Sequence, residues 1–324
     1  MMLNNSTAIT DGSIEDCFET YIVVKPSRSY VINSIIGCIV NGVFALSGVL
    51  LNSLVIYVFW KTPKLRLKVS YFMLMVLSSM DFCASAIVHP LHVLNSIAEI
   101  AGSAKCSYKM VYQTSAVMLS GVSFLTFFVM NVERFISIVH PFFHLSYVTK
   151  PRCFLASSLT WVICTVTGIA PFFSLDIQNF VTALSLTVVS GTFYIYVRIF
   201  MVARKRNPRD RESSVRSDEL DNDLDHDGRI GIQSRKAVSF LHDLQLAKMY
   251  MIVVLASLVL NLPNAIVLGM FPERIETLNN VVQVKIWTIT LVAINSTMNC
   301  LIFFWANNRL RREGWRLYKR LIRG

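Results

Sequence analysis

A few polar side chains set in long apolar runs carry the chemistry of this sequence. Asp81 is the only charge between Val69 and Ala98, and a charge surrounded by apolar side chains must be paired or neutralised. Asn52, Ser123, Asn295, Ser296 and Asn299 lie inside other uncharged runs. Two readings are open. Asp81 is a lone carboxylic acid kept neutral by a proton, or these six residues form an oxygen-rich cage for a small cation such as sodium. Hydrolytic chemistry needs paired catalytic groups, and no second carboxylate lies within the apolar runs, so no enzyme is expected. At the end of another run Glu133 adjoins Arg134, an arrangement open to simple snorkelling of the guanidinium towards water. Asn4-Asn5-Ser6-Thr7 offers overlapping glycosylation acceptors at Asn4 and Asn5. Asn295-Ser296-Thr297 matches the same pattern but sits in an apolar run that the modifying enzyme cannot reach.

Those apolar runs define the class. Of the 324 residues, 54% are hydrophobic and 16% charged, and the mean hydropathy is +0.51. A soluble domain could not bury that much apolar side chain. Seven cysteines are too sparse for a disulfide scaffold. A spanning helix needs about 20 apolar residues, and seven stretches qualify: 33–60, 69–98, 110–132, 153–175, 177–197, 249–271 and 286–308. The expected fold is an all-α membrane protein, a seven-transmembrane helix bundle. Residues 1–32 form the N-terminus, 33–308 the bundle and 309–324 the tail.

Lys and Arg set the orientation. Lys61, Lys64, Arg66 and Lys68 fill the first loop without an acid, and the tail holds seven basic residues against Glu313 alone. The N-terminus is therefore expected outside and the C-terminus in the cytoplasm of a multi-pass plasma-membrane protein. Residues 1–30 lack the apolar core of a cleavable signal. The formal charge of +11 then reads as orientation and contact with anionic membrane lipid, and no nucleic-acid partner is expected. The segment from about 203 to 241 is polar and acidic in its middle, which reads as a flexible third inner loop. Leu310, Gly314, Leu317, Tyr318 and Leu321 recur at helical spacing among arginines, the pattern of a short amphipathic eighth helix on the inner leaflet.

Glu133-Arg134-Phe135, with Pro141 seven residues after the arginine, resembles the E/D-R-Y motif of rhodopsin-like (class A) G-protein-coupled receptors. Further marks fall in register, roughly one per helix: Asn52, Asp81, Trp161 with Pro171, Tyr196, Pro263, and Asn295-Ser296 before Asn299. The resemblance covers residues 33–322. It implies a receptor that passes binding of an extracellular ligand to a heterotrimeric G protein. Arg134 would be the switch, held by Glu133 and Asp243, with Tyr196 nearby. Asp81, Ser123, Asn295, Ser296 and Asn299 would form the family's sodium pocket, with no other cofactor, and Pro263 would be the hinge of helix six. A seven-helix transporter or channel is the alternative, weakened by the lack of charged residues along a path.

Several positions depart from the family pattern. Asn299-Cys300-Leu301-Ile302-Phe303 lacks the usual proline and tyrosine of helix seven, Asn261 replaces the usual tryptophan before Pro263, and Val188 replaces the helix-five proline. Cys106 would ordinarily bond a cysteine of the second outer loop, but that loop is short and has none. Cys17 is the other outer cysteine, and a Cys17–Cys106 bridge is expected. The short loop and the Tyr196-to-Arg204 string resemble the melanocortin-receptor-like branch, although its acidic cluster for a basic peptide is missing. The ligand-pocket candidates are His89, His92, Tyr112, Gln113, Ala116, Ser120, Asn261 and Asn264. For the two histidines, a backbone hydrogen bond near Pro90 is an open second reading. Ala116 stands where amine receptors carry a carboxylate, and Ala293 where a retinal Schiff base needs lysine, so neither ligand class is expected. The ligand stays unidentified.

Overall fold

The computed structural model describes residues 13–17, 20–173, 178–220, 252, 254–267, 279–306, 311–316 and 319. Asn4, Asn5 and Asp243 lie outside them. Apolar helices dominate: α1 (Arg28–Lys61), α2 (Val69–Ile100), α3 (Cys106–Val139), α4 (Lys150–Phe173), α5 (Gln178–Leu220), α6 (Val254–Val267) and α7 (Asn279–Ala306). Among the described residues six helices are long and apolar enough to cross a bilayer, and the described part of α6 is a shorter apolar helix. The fold is an all-α membrane bundle.

Local sequence explains the helix ends. Ser27 caps α1, its hydroxyl accepting from the Tyr30 amide at 3.2 Å. Pro151, in the first turn of α4, lies where a missing N–H costs nothing. Gly102, with φ at 65°, closes α2: its amide donates to Glu99 O and that of Ser103 to Ala98 O. Two π turns interrupt α2 and α3, at Ala84–Val88 and Ala116–Ser120. The first precedes Pro90, whose missing donor falls where the i→i−4 ladder is already shifted.

The sequence reading of residues 1–32 did not foresee a hairpin. Ser13–Cys17 (β1) and Thr20–Lys25 (β2) pair antiparallel, and Cys17 and Ile22 pack on Met110 at the head of α3. Val23 meets Tyr30 of α1 and Ile286 of α7. This side is called the hairpin end below. The stretch from 203 read as flexible linker is helical in its backbone as far as Leu220. A polar composition removes a buried face without forbidding a helix, and the backbone stays helical past Pro208. Past α7 the chain is helical again over 311–316, where Gly314 lies close to Phe304 and Val58.

The interior is divided by polarity. The largest apolar cluster, including Val55, Val58, Phe59, Met73, Leu77, Met130 and Phe303, fills the half away from the hairpin. The hairpin half is lined by buried polar groups. On its far side α1 exposes Ile32, Ile39, Val43, Leu46 and Leu50, a face suited to lipid.

Bare backbone brings α1, α2 and α7 together. A Cβ on Gly48 would collide with Ser85 Oγ and lie 3.1 Å from Thr297 Oγ1, so glycine is required for this close crossing. Gly48→Ala is expected to destabilise the bundle by about 1–3 kcal/mol through overpacking, read as a lower unfolding temperature of the detergent-solubilised protein. Unchanged stability would mean the crossing relaxes freely.

Candidate functional site

Asp81 sits at the middle of α2, fully buried. Its carboxylate accepts from Ser123 Oγ of α3 and, at 3.2 Å, from Asn299 Nδ2 of α7. Three helices thus converge on one acid. Asn52 of α1 forms an adjoining group: its amide donates to Gly48 O at 2.9 Å and reaches Ser296 O at 3.5 Å, while Cys300 Sγ donates to Asn52 Oδ1 at 2.6 Å. Cys300 therefore has a polar partner although it is buried. Asn295 and Ser296 are buried, and Asn295 Oδ1 has no hydrogen-bond partner among the described residues.

The second cluster closes the opposite end of α3. Glu133 and Arg134 are 3% and 7% exposed, so the guanidinium is not merely reaching for water. Arg134 Nε stands 3.4 Å from Glu133 Oε2. The other carboxylate oxygen lies 2.8 Å from His144 Nε2 and accepts from Ser70 Oγ at 3.1 Å. Ser70 opens α2, and His144 projects from a short helix, Pro141–Tyr147, between α3 and α4. Glu133 is thus the hub of the group. Neither Ser70 nor His144 was found by motif reasoning: His144 lies outside the motif and the apolar spans, and Ser70 sits at the edge of its span, far in sequence from Glu133. Tyr196 stacks near Phe200, ring centres 6.5 Å apart, and packs on the apolar core.

At the hairpin end His92 and Tyr112 lie ring to ring at 5.2 Å, both buried, with His89 one turn from His92. No hydrogen bond to backbone reaches His89 Nε2 or His92 Nδ1 among the described residues. Gln113, Ala116 and Ser120 are half-buried along α3, the last two bounding its π turn. On α6, Asn261 spends its amide on Ser257 O and Oγ within its own helix, and Asn264 and Pro263 are half-buried. The structure therefore brings His92 and Tyr112 together beside His89 and gives Asn261 a partner on its own helix.

Glu99 also belongs here. It is 3% exposed, accepts from Tyr30 Oη at 2.5 Å and pairs with Lys109 Nζ at 3.5 Å. Sequence reasoning missed this pair for a simple reason: the apolar windows stop at Ala98 and resume at Met110. A disulfide joins Cys17 of β1 to Cys106 at the start of α3, across a sequence separation of 89. It fastens the hairpin over this group of polar residues.

Residues 51–188 match the family described as 7 transmembrane receptor (rhodopsin family). The chain is 27% identical to the Alpha-1A adrenergic receptor of Oryzias latipes over 160 residues, 49% of this chain and 33% of that protein. It is 29% identical to Melanopsin-B of Xenopus laevis over 126 residues, 38% of this chain and 23% of the relative. Melanopsin of Podarcis siculus is 27% identical over 128 residues, 39% and 26% of the two chains. The match spans a third or less of the length of these curated relatives.

Proposed function

We propose that this chain is a rhodopsin-like receptor that couples an extracellular ligand to a heterotrimeric G protein by rearranging its helices. The observation that carries this reading is the buried Glu133–Arg134 pair at the end of α3 away from the hairpin. An ion pair kept from water is held by geometry and is released when its neighbours move. Glu133 gathers contacts from three segments there, so a shift of α2, α3 or the Pro141–Tyr147 helix changes what Arg134 faces. Similarity to rhodopsin-family receptors over 51–188 supports the same reading. We place the N-terminus outside, the chain in the plasma membrane in contact with anionic inner-leaflet lipid, and its nearest kin in the melanocortin-receptor-like branch.

Neither an amine nor retinal is the expected ligand. Ala116 offers no counter-charge for an amine, and the nearby Glu99 already serves Lys109 and Tyr30. Ala293 cannot form a Schiff base.

The Asp81 group fits a sodium ion by its donor set. The available atoms are oxygens, and Asn295 Oδ1 is a buried acceptor without a partner. Asp81, Ser123, Asn295 and Ser296 would hold the ion, and Asn52 and Asn299 would brace them. The ion's charge would balance the Asp81 carboxylate. Asp81→Asn is expected to remove any effect of sodium on G-protein nucleotide exchange while leaving the Ser123 and Asn299 contacts available to the amide. A mutant with undiminished sodium sensitivity would place the ion elsewhere.

Guanine-nucleotide exchange in membranes holding the chain and a promiscuous G protein tests the receptor reading. Ligand-screen stimulation of exchange supports it. Tracer flux through proteoliposomes without exchange would favour the transporter instead.

A further inference from the structure

Helices α1 and α7 meet along a ladder of matched positions. At the hairpin end Asn33 Nδ2 donates to Gln283 Oε1 at 3.0 Å, Gln283 Nε2 to Ser29 Oγ at 2.7 Å and Trp287 Nε1 to Asn33 Oδ1 at 3.1 Å. Mid-span, Asn41 Nδ2 donates to Thr290 Oγ1 at 2.9 Å, and further on Thr297 Oγ1 donates to Phe44 O at 3.2 Å. The last rung is Cys300 Sγ on Asn52 Oδ1. Two bare positions fall between the rungs. A Cβ on Gly37 would stand 3.0 Å from Ile286 Cγ2, and Gly48 lies against Thr297.

The pairing keeps its register. Asn33 with Gln283, Asn41 with Thr290 and Asn52 with Cys300 are separated by 250, 249 and 248 residues. A nearly constant offset means that the two helices run parallel and almost aligned, instead of touching at one crossing point. On α7 the positions Gln283, Ile286, Thr290, Ala293, Thr297 and Cys300 step alternately by three and four, the repeat of a coiled-coil seam. Gly37, Asn41, Phe44 and Gly48 keep the same alternation on α1. Each interhelical bond is modest in lipid. Together they resist sliding, because a slip of one residue turns every donor away from its acceptor.

Nothing in α7 offers a joint. It is a continuous helix from Asn279 to Ala306, and Cys300 stands where the rhodopsin-like pattern has its kinking proline. The residue at the place of the bend instead ties α7 to α1. We propose that α1 and α7 form one rigid strut, and that the helices rearrange against this pair and not within it. The strut needs the bundle alone; its stillness during signalling rests on the receptor reading.

Two measurements test it. Spin labels on exposed Ile39→Cys of α1 and Val284→Cys of α7 give the distance distribution of the pair, with the half-buried Cys38 and Cys83 replaced by alanine. Gln283→Met with Thr290→Val removes the rungs to Asn33 Nδ2 and Asn41 at nearly constant volume. The distribution is expected to be narrow with these rungs intact and roughly twofold broader without them. Equal widths would show that the ladder does not hold the helices. Second, Gly37→Cys with Ile286→Cys is oxidised to a disulfide, which freezes the pair. Nucleotide exchange on a promiscuous G protein is expected to stay within about twofold of Gly37→Ala with Ile286→Ala. A larger fall means that α7 must move against α1, and a pair that resists oxidation is not in this register; either overturns the strut. Absence of exchange in the wild type overturns the receptor reading, and the spin labels still decide the strut.

Discussion

Arg134→Ala is expected to abolish G-protein nucleotide exchange, a loss of roughly a hundredfold at the upper end of known coupling energies, while surface expression persists. Arg134 is 7% exposed and has Glu133 beside its Nε at 3.4 Å, so its truncation removes the cation on which the proposed switch depends. Folding tolerates the change because Glu133 keeps His144 and Ser70 on its other oxygen. Glu133→Gln should move the other way. The amide can still bond Ser70 but no longer neutralises Arg134, and basal exchange is expected to rise roughly fivefold. Exchange assays beside surface staining read both. Normal signalling by Arg134→Ala would remove the assigned switch, and a silent Glu133→Gln would remove the restraint.

Loss of the Cys17–Cys106 bridge should have the largest effect on stability. For a separation of 89 residues, chain entropy gives about 4–5 kcal/mol. Helices already inserted in the bilayer restrict the denatured chain, so the measured loss in Cys17→Ser with Cys106→Ser should be smaller. The hairpin is held besides by Ile22 on Met110 and Val23 on Tyr30 and Ile286, a small apolar contact by comparison with the disulfide. Undocking would uncover Glu99, Lys109 and Tyr112. The measurement is thermal unfolding in detergent with hydrogen exchange of 20–25 and of α2. Exchange confined to the hairpin fits local undocking; unchanged exchange and melting would show that the covalent tie is dispensable.

Much of this was legible without coordinates because a bilayer imposes a one-dimensional rule. Apolar length marks a span, and a polar residue inside one stands out. Asp81, Asn52, Ser123 and Asn299 could be singled out in that way. Glu99 and Lys109 could not, since they lie just outside the windows yet are drawn into the protein beneath a hairpin whose strands are too short to register as a pattern. Asn261 and Asn264 satisfied the same criterion as His89 and His92, but the structure gives Asn261 a partner on its own helix. Polar character in a span marks a candidate; it does not say which neighbour will answer it.

The amino-acid order by itself determined the number of apolar spans, the run of basic loops and the polar positions of each helix, because these follow from composition and spacing along a single chain. Only the tertiary structure decided that Ser123 and Asn299, 42 and 218 residues away, share Asp81, and that Ser70 and His144 join Arg134 around one carboxylate. The reason is geometric. A helix's sequence states which side chains share a face, whereas the rotation and crossing of each helix against its neighbours, set by close contacts such as Gly48 on Ser85, choose which faces meet.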